Sequence, residues 1–308
     1  MTYDSSPFPE RAAMSFAKPR RVAVIFNPTA GRRHGWRFQA TVERLEGLVT
    51  LYRTTRPGDA TEMALNMVGD GTDVVVAAGG DGTINEVVNG LAGSSVAMGI
   101  IPLGTANVMA HALGVGTRPG KVAAAINRGQ RKTLHLGRIT SPDQIGGRLF
   151  ILMAGAGFDA QVVADVNTAL KRHAGALAYV VETLGGAFKY AFPELTVTVD
   201  GKAHRAVTAV VCNGPLYGGP FVAAPKADLS KPGFEIRLLE RPGIKNVLRY
   251  GAALVSGKLD SLPDAPSLLG TRIVIEGPLG APVQADGDIL AHLSATITVA
   301  DETVDVLG

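Results

Sequence analysis

The fold is decided by the stretch Val74-Val75-Val76-Ala77-Ala78-Gly79-Gly80-Asp81-Gly82-Thr83-Ile84-Asn85-Glu86-Val87-Val88-Asn89-Gly90. The apolar run before Gly79 is short, β-branched and without alternation, which is typical of a parallel strand covered on both faces. Apolar residues then recur at helical spacing from Thr83 to Val88. Glycines allow backbone N–H groups to approach an anion, and the positive end of the new helix points to the same place. The stretch therefore predicts a phosphate-binding turn.

Asp81 stands inside this turn, where it would repel a bare phosphate. Its presence indicates a phosphate bound together with Mg²⁺, with the metal bridging the carboxylate, water and phosphate oxygens. The alternative is an ordinary strand-to-helix turn in which Asp81 only caps the helix. Glycine-rich turns are common false positives, so the motif alone leaves both interpretations open.

Two further turns follow neighbouring strands of the predicted sheet. Asn27-Pro28-Thr29-Ala30-Gly31-Arg32-Arg33 comes after the first strand, and its two guanidinium groups can contact phosphate oxygens. Pro102-Leu103-Gly104-Thr105-Ala106-Asn107 comes after the fourth strand. Because the carboxyl ends of parallel strands share one sheet edge, we expect the three turns to lie side by side and to form a nucleotide site.

Strands and helices alternate over the amino-terminal half of the chain. This alternation predicts an α/β fold with a doubly wound, mostly parallel sheet over residues 20–130, preceded by a flexible arm at 1–19. We expect strands near 21–27, 48–53, 72–78 and 96–101, and helices near 35–47, 58–69, 83–92, 105–114 and 118–128.

The pattern changes after Arg131, where Gly and Pro divide short β-rich runs. Regular short strands predict a β-sandwich or a partly open barrel over 131–308, interrupted by helical patterns at 158–170 and 176–190. Whether the last strand returns to the first domain stays open. The runs are 133–140, 148–154, 195–199, 206–213, 234–240, 271–276 and 295–299.

Composition restricts the class of protein. A chain of 308 residues, 46% hydrophobic and 19% charged, is expected to form two well-packed domains. Its apolar runs stay well short of the roughly 20 residues of a membrane helix, and the run at 22–26 is too short for a secretory signal, so we expect a cytoplasmic protein. A lone cysteine, Cys212, excludes an internal disulfide framework and a cysteine-based zinc site.

Positive charge is concentrated near the amino terminus. Residues 1–56 hold ten Lys or Arg against four Asp or Glu, whereas the whole chain carries a net charge of +3. Such a patch suits a polyphosphate or an anionic bilayer surface. An ordinary solvated surface is the alternative.

Taken together, the motifs resemble the bacterial diacylglycerol kinase and sphingosine kinase-like lipid kinase superfamily. Asn-Pro-x-x-Gly at 27–31, Gly-Gly-Asp-Gly-Thr-x-Asn-Glu-Val at 79–87 and Pro-x-Gly-Thr-x-Asn at 102–107 occur in the order of that family. The Gly-Gly-Asp-Gly-Thr core is shared with NAD kinases, whereas the ordered set is specific to the lipid kinases. Later matches at 155–160, 213–214, 218–219 and 286–287 extend the resemblance over about residues 20 to 300.

The resemblance implies an NAD kinase-like nucleotide-binding domain, a lipid-facing β-sandwich and a cleft between them. ATP would bind with Mg²⁺, which Asp81 would hold through water, and Asp286 would be the general base toward the lipid hydroxyl. Lys171 and Arg172 could contact the transferred phosphate or form a solvated helix end. The implied nucleotide-binding residues are Asn27, Arg32, Gly79, Gly80, Gly82, Thr83, Glu86, Gly104, Thr105, Asn107 and Asp288.

Three positions qualify this assignment. Val108 stands where many relatives have Asp, and the missing carboxylate affects the Mg²⁺–water network and the choice of lipid. Asp288 stands where the family often has Glu, which keeps the charge but shortens the reach. From the residues alone, Asp286-Gly287 predicts a plain hairpin turn.

We therefore expect an ATP-dependent lipid kinase that phosphorylates diacylglycerol or a related lipid. The expected partner is its membrane lipid, through peripheral contact with the inner membrane surface, and no nucleic acid is expected. Whether the chain forms a homodimer stays open. An NAD kinase is the nearest alternative, and the Asn-Pro-x-x-Gly loop and the Asp286 element favour the lipid kinase. A regulator that binds nucleotide or lipid without catalysis is the other alternative, because of Val108 and Asp288.

Overall fold

The structure is a computed structural model that describes residues 19–30, 35–142, 146–166 and 190–308. The predicted arm lies almost entirely outside these ranges, as does the helix predicted over 176–190. Arg32, Lys171 and Arg172 also lie outside them. Within the described ranges, no helix has the length and apolar character needed to cross a membrane.

The amino-terminal half alternates strands and helices, as predicted. Its strands run parallel in the order β2-β1-β3-β4. Val75 packs in one apolar cluster, whereas Val74 and Val76 pack in another on the opposite face, because helices cover both sides of the sheet. The elements are β1 (Arg21–Phe26), α1 (Gly35–Val42), β2 (Leu48–Arg53), α2 (Asp59–Met67), β3 (Val74–Gly79), α3 (Asp81–Leu91), β4 (Ala97–Pro102), α4 (Val108–Ala112) and α5 (Pro119–Arg128).

The carboxyl-terminal half is rich in antiparallel strands. The elements are β5 (Arg131–Thr140), β6 (Arg148–Phe150), β7 (Met153–Gly157), α6 (Phe158–Val166), β8 (Leu195–Val199), β9 (Lys202–Ala206), β10 (Thr208–Cys212), β11 (Leu216–Tyr217), β12 (Phe221–Val222), β13 (Phe234–Leu239), α7 (Ile244–Val255), β14 (Ser267–Gly270), β15 (Arg272–Glu276), β16 (Pro282–Ala285), β17 (Asp288–His292) and β18 (Ala295–Leu307). A six-stranded sheet, β14-β13-β10-β7-β16-β17, packs on strands of a second sheet through one apolar cluster. This arrangement confirms the predicted β-sandwich.

The last strand joins the two halves. β18 pairs in antiparallel with β5 and β15, and it pairs in parallel with β4 where Val306 lies beside Met98. The sheet order β2-β1-β3-β4-β18-β15-β8-β9 therefore runs through both halves. The final strand thus returns to the sheet of the amino-terminal half, a point that the sequence left open.

The strand predicted over 148–154 is wrong, because the chain bends at Ile151 and Leu152 between β6 and β7. The backbone N–H groups of these two residues donate to the Asp286 carboxylate, at 2.7 and 2.9 Å. A continuous strand would give N–H groups to a neighbouring strand instead. The bend therefore directs these two N–H groups to the carboxylate and away from a neighbouring strand.

Candidate active site

The three predicted turns lie side by side at the carboxyl ends of β1, β3 and β4. Asn27 Nδ2 donates to Thr83 Oγ1 at 3.5 Å, and Asn27 Oδ1 accepts from the backbone N–H of Thr29 at 2.9 Å. The backbone N–H of Leu103 donates to the carbonyl oxygen of Gly79 at 2.8 Å. These contacts confirm that the turns after three neighbouring strands lie side by side; that they bind a nucleotide stays a prediction.

Two glycines face each other where the second and third turns meet. A Cβ atom on Gly104 would lie 2.6 Å from the Cα atom of Gly80, and a Cβ atom on Gly80 would lie 3.3 Å from the Cα atom of Gly104. The direct approach of two backbones therefore requires glycine at position 104 and favours it at position 80. Gly82 and Thr105 are exposed beside this contact, so the backbone of both turns faces solvent.

Asp81 begins α3 and is partly buried. Its Oδ1 atom accepts a hydrogen bond from the backbone N–H of Met109 at 3.2 Å, at the beginning of α4. Burial raises the pKa of the Asp81 carboxyl, and hydrogen bonds from the backbone of Met109, Val108 and Asn107 oppose that shift. The carboxylate therefore connects the second turn to the third.

Asn107 and Val108 complete the third turn. Asn107 takes a left-handed backbone conformation, with φ of 47°, and its Nδ2 donates to the carbonyl oxygen of Gly104 at 2.8 Å. The buried Oδ1 of Asn107 has no hydrogen-bond partner among the described residues. The Val108 side chain is buried in the core, and the five residues of α4 include no carboxylate. Asp81 is therefore the acid that these two turns contribute.

Asp286 lies in a two-residue turn between β16 and β17. Asp286 and Gly287 have φ angles of 48° and 86°, so the predicted hairpin turn is present. Its carboxylate also accepts three consecutive backbone N–H groups. Ile151 donates to Oδ2 at 2.7 Å, and Leu152 and Met153 donate to Oδ1 at 2.9 and 3.0 Å. Such a set of N–H groups stabilises a negative charge.

A side chain on α3 connects Asp286 to the glycine turns. Asn85 Nδ2 donates to Asp286 Oδ2 at 2.5 Å, and Asn89 Nδ2 donates to Asn85 Oδ1 at 2.9 Å, which orients the Asn85 amide. Asn85 follows Asp81 by one helical turn, about 6 Å along the same face of α3. Asp286 therefore contacts a residue that lies one helical turn after Asp81, although the two acids are far apart in sequence.

Sequence reasoning did not assign a role to Asn85. The available signal was its polar side chain four residues after Asp81, beside the buried apolar residues Ile84 and Val88. The three backbone donors at 151–153 carried no signal, because a backbone N–H group is the same in every residue except proline.

Two other predicted nucleotide-binding residues occupy different surroundings. Glu86 Oε2 accepts from the backbone N–H of Ala60 at 3.0 Å, so this side chain connects α3 to the first turn of α2. Asp288 is exposed as the first residue of β17, two positions after Asp286. Their roles in nucleotide binding stay predictions.

Burial raises the pKa of the Asp286 carboxyl to about 6. The hydrogen bonds from residues 151–153 and from Asn85 act in the opposite direction, because they favour the charged form. The net shift places the titration of Asp286 near neutral pH, where a general base is most effective.

We expect kcat/KM to fall as the pH drops below about 6, because a base must be deprotonated to accept a proton. A folded-state pKa above the ordinary 3.8 means that the contribution of this group to stability is full below pH 3.8 and is lost as the pH rises through 6. Titration of Asp286 therefore cannot unfold the protein on the acid side. Rates and melting temperatures measured from pH 5 to 8 separate the two effects. Constant kcat/KM down to pH 5 would contradict the assignment.

An apolar pocket lies in the carboxyl-terminal half, beneath α7. Its walls include Phe158, Val162 and Phe192, and α7 covers it with Val247 and Leu254. Aromatic rings at 158, 190 and 192 pack on one another beside it. The pocket therefore offers an apolar surface of the kind that binds hydrocarbon.

One wall of this pocket is hydrogen-bonded to the turn that carries Asp286. The buried carboxylate of Asp159 lines the pocket and accepts from the Tyr217 hydroxyl and, at 2.7 Å, from Gln284 Nε2. Gln284 Oε1 accepts from the backbone N–H of Gly287 at 3.1 Å. A Cβ atom on Gly155 would lie 1.8 Å from Asp159 Oδ2, so glycine is required there. The motif at 155–160 thus places an acid between the pocket and Asp286.

Comparison with known proteins gives a consistent result for both halves. The diacylglycerol kinase catalytic domain matches residues 21–139, and the YegS C-terminal NAD kinase beta sandwich-like domain matches residues 153–308. The chain belongs to the diacylglycerol kinase and YegS-like lipid kinase family that these two domains define. This membership confirms the family and the class of enzyme predicted from the motifs, an ATP-dependent lipid kinase.

Individual relatives agree with this result. A diacylglycerol kinase of Bacillus subtilis strain 168 is 31% identical over 78% of this chain and 80% of its own length. A diacylglycerol kinase of Mycobacterium tuberculosis strain CDC 1551 / Oshkosh is 29% identical over 73% of each chain. A crystal structure of a protein from Bacillus anthracis strain Sterne, ascribed to a diacylglycerol kinase, has a TM-score of 0.75 at 23% identity, over 96% of this chain and 97% of that chain. That structure shares the fold.

Proposed function

We propose that this enzyme transfers the γ-phosphoryl group of ATP to the hydroxyl of diacylglycerol or a closely related membrane lipid, in peripheral contact with the bilayer. The observation that carries the proposal is the hydrogen bond from Asn85 to Asp286. It connects a helix that begins at a phosphate-binding turn to a carboxylate of the sandwich half. The γ-phosphoryl group of a nucleotide at the turns would therefore lie close to a lipid hydroxyl at Asp286.

The triphosphate is proposed to lie along the turns at 79–83 and 104–107. Gly80 and Gly104 bring the backbones of the two turns close together, Gly82 is exposed beside them, and α3 begins there. Backbone N–H groups at the beginning of a helix bind phosphate oxygens. Asn27 supports this surface from the side through Thr83.

Mg²⁺ is proposed to accompany ATP at Asp81. Mg²⁺ usually keeps several waters and takes one or two carboxylates together with substrate phosphates, so a single acid suffices. The described residues contain no group of three or more His, Cys, Asp or Glu that could hold a metal. The unpartnered Oδ1 of Asn107 fits a polar ligand in this turn. When bound, the metal would neutralise charge on the phosphates.

The proton of the lipid hydroxyl is proposed to move to Asp286 as the hydroxyl oxygen attacks the γ-phosphorus atom. The bond from that phosphorus to the β–γ bridging oxygen breaks, and ADP leaves. In the free enzyme, four N–H donors occupy the four acceptor positions of the Asp286 carboxylate. Backbone donors at 151–153 are fixed by β6 and β7, so the hydroxyl would displace the Asn85 amide.

A lipid acceptor is favoured over NAD by the surroundings of Asp286. The pocket that Asp159 and Gln284 connect to the Asp286 turn is walled largely by apolar side chains. An acyl chain can fill such a pocket, whereas the charged phosphates and hydroxyls of NAD would lose hydration there.

The proposal is tested by incubating the purified full-length protein with γ-labelled ATP, Mg²⁺, NAD and mixed lipid vesicles that contain diacylglycerol. We expect label in the organic phase that depends on diacylglycerol. Label confined to an aqueous nucleotide product would establish an NAD kinase. Nucleotide binding without any labelled product would establish the non-catalytic regulator.

A further inference from the structure

Helix α7 exposes apolar side chains to solvent in addition to those that it buries against the pocket. Its inner face lines the apolar pocket with Val247, Tyr250 and Leu254. Its outer face is apolar as well: Leu248 is 52% exposed, Val255 is 64% exposed, and Ala252 is exposed between them. The outer face of a surface helix in water is normally polar. An apolar face of this kind indicates a further contact.

The charged residues from position 241 to 258, a stretch that includes α7, are basic. No Asp or Glu occurs between positions 241 and 258, where the charged side chains are those of Arg241, Lys245, Arg249 and Lys258. Asp264 is shared by two of them, since Arg241 Nε lies 3.3 Å from Asp264 Oδ2 and Arg249 also pairs with it. One acid is thus shared by two arginines. Glu240 and Asp260 flank the stretch, and Asp260 pairs with the buried Arg237, so the helix keeps a small excess of positive charge.

We propose that the outer face of α7, formed by Leu248, Ala252 and Val255 and flanked by Lys245 and Lys258, is the surface that docks on an anionic lipid bilayer. This inference rests on the proposed lipid kinase function and adds the docking face. An interfacial helix buries an apolar face at the level of the lipid headgroups while its basic residues contact anionic lipids.

A second copy of this chain is a poorer occupant for the face. In a two-fold contact the same surface appears on both partners, so the basic residues of one copy would approach those of the other. A bilayer supplies the opposite charge. A bilayer bound to the outer face of α7 would also lie close to the apolar pocket, because the inner face of the same helix lines that pocket. Lipid entering beneath a docked α7 would then pass from the bilayer directly toward the apolar walls.

The test measures how the full-length protein partitions onto sedimented vesicles of phosphatidylcholine, with and without phosphatidylglycerol. The double variant Leu248→Asn/Val255→Asn should lower partitioning about tenfold or more on both vesicle types. The double variant Lys245→Gln/Lys258→Gln should lower it about tenfold on anionic vesicles and leave partitioning on neutral vesicles unchanged.

A matched control is the double variant Leu65→Asn/Val68→Asn, which removes an exposed leucine and valine at the end of α2. We expect this control to partition like the wild type. Melting temperatures should stay close to the wild-type value in all three variants, because the altered side chains are exposed. Equal partitioning of the Leu248→Asn/Val255→Asn variant and the wild type would overturn the proposal, and so would an equal loss in the control.

Two outcomes separate docking from catalysis. The Leu248→Asn/Val255→Asn variant should phosphorylate a dispersed short-chain diacylglycerol at the wild-type rate, because neither side chain lines the pocket. If the wild type does not phosphorylate that substrate, the proposed function fails rather than the docking face. If the variant changes a dimer into a monomer on gel filtration and keeps vesicle binding, the face contacts a second copy and the docking proposal is overturned.

Discussion

Replacing Asp286 by Asn is expected to lower phosphoryl transfer by roughly 10² to 10⁴, the usual contribution of a positioned base. An amide cannot accept the proton of the lipid hydroxyl under these conditions. ATP affinity should stay close to the wild-type value, because the proposed nucleotide turns belong to the amino-terminal half. Turnover and ATP affinity, measured on the same preparation, separate the two contributions.

The Asp286→Asn variant also needs a control for structure, because its NH₂ group would face backbone donors at 151–153. Asp200 offers a matched change: it has φ of 44°, Gly201 follows it in the turn between β8 and β9, and its carboxylate accepts the backbone N–H groups of Thr271 and Arg272. Asp200→Asn should lower the melting temperature to a similar extent and keep turnover. A loss of turnover below about tenfold in Asp286→Asn would make Asp286 a turn residue only.

Replacing Asp81 by Asn is expected to abolish Mg²⁺-dependent turnover, with a loss of at least roughly 10², while the protein stays folded. The amide oxygen can still accept the hydrogen bond from Met109, so the contact between the two turns is kept. The charge that would organise the metal is lost. Turnover measured against Mg²⁺ concentration, together with the melting temperature, tests this expectation.

Asp59 provides the matched control for Asp81, because each is the first residue of a helix. The Asp59 carboxylate accepts from the backbone N–H groups of Thr55 and Arg56, at 2.7 and 3.0 Å. Asp59→Asn should therefore affect stability alone. Wild-type turnover in Asp81→Asn would show that Asp81 has a structural role only, through its hydrogen bond from Met109.

The amino-terminal part of the site could be predicted because its determinants are local. Glycines at 79, 80 and 104 follow buried strands, and parallel strands bring their carboxyl ends to one edge. The sequence did not predict the distance between Gly80 and Gly104, but it did predict that the two turns that contain them are neighbours. Local pattern and topology agree in this half.

The surroundings of Asp286 could not be predicted from the sequence by the same means. The donor group of Ile151 lies 135 residues from Asp286 and has no side-chain signature. The apolar run at 148–154 therefore indicated one strand, although the chain bends to bind the carboxylate. The helix α7 was missed, although its apolar residues at 244, 247, 248, 251, 254 and 255 recur at helical spacing and Lys245, Asn246 and Arg249 lie on the other side.

A crystal structure of the protein with a non-hydrolysable ATP analogue and Mg²⁺ tests the central claim most directly. The claim predicts the triphosphate along the turns at 79–83 and 104–107, the metal beside Asp81, and the γ-phosphorus atom facing Asp286 across the position of Asn85. A triphosphate bound elsewhere, or a γ-phosphorus atom turned away from Asp286, would contradict the claim that these two acids serve one phosphoryl transfer.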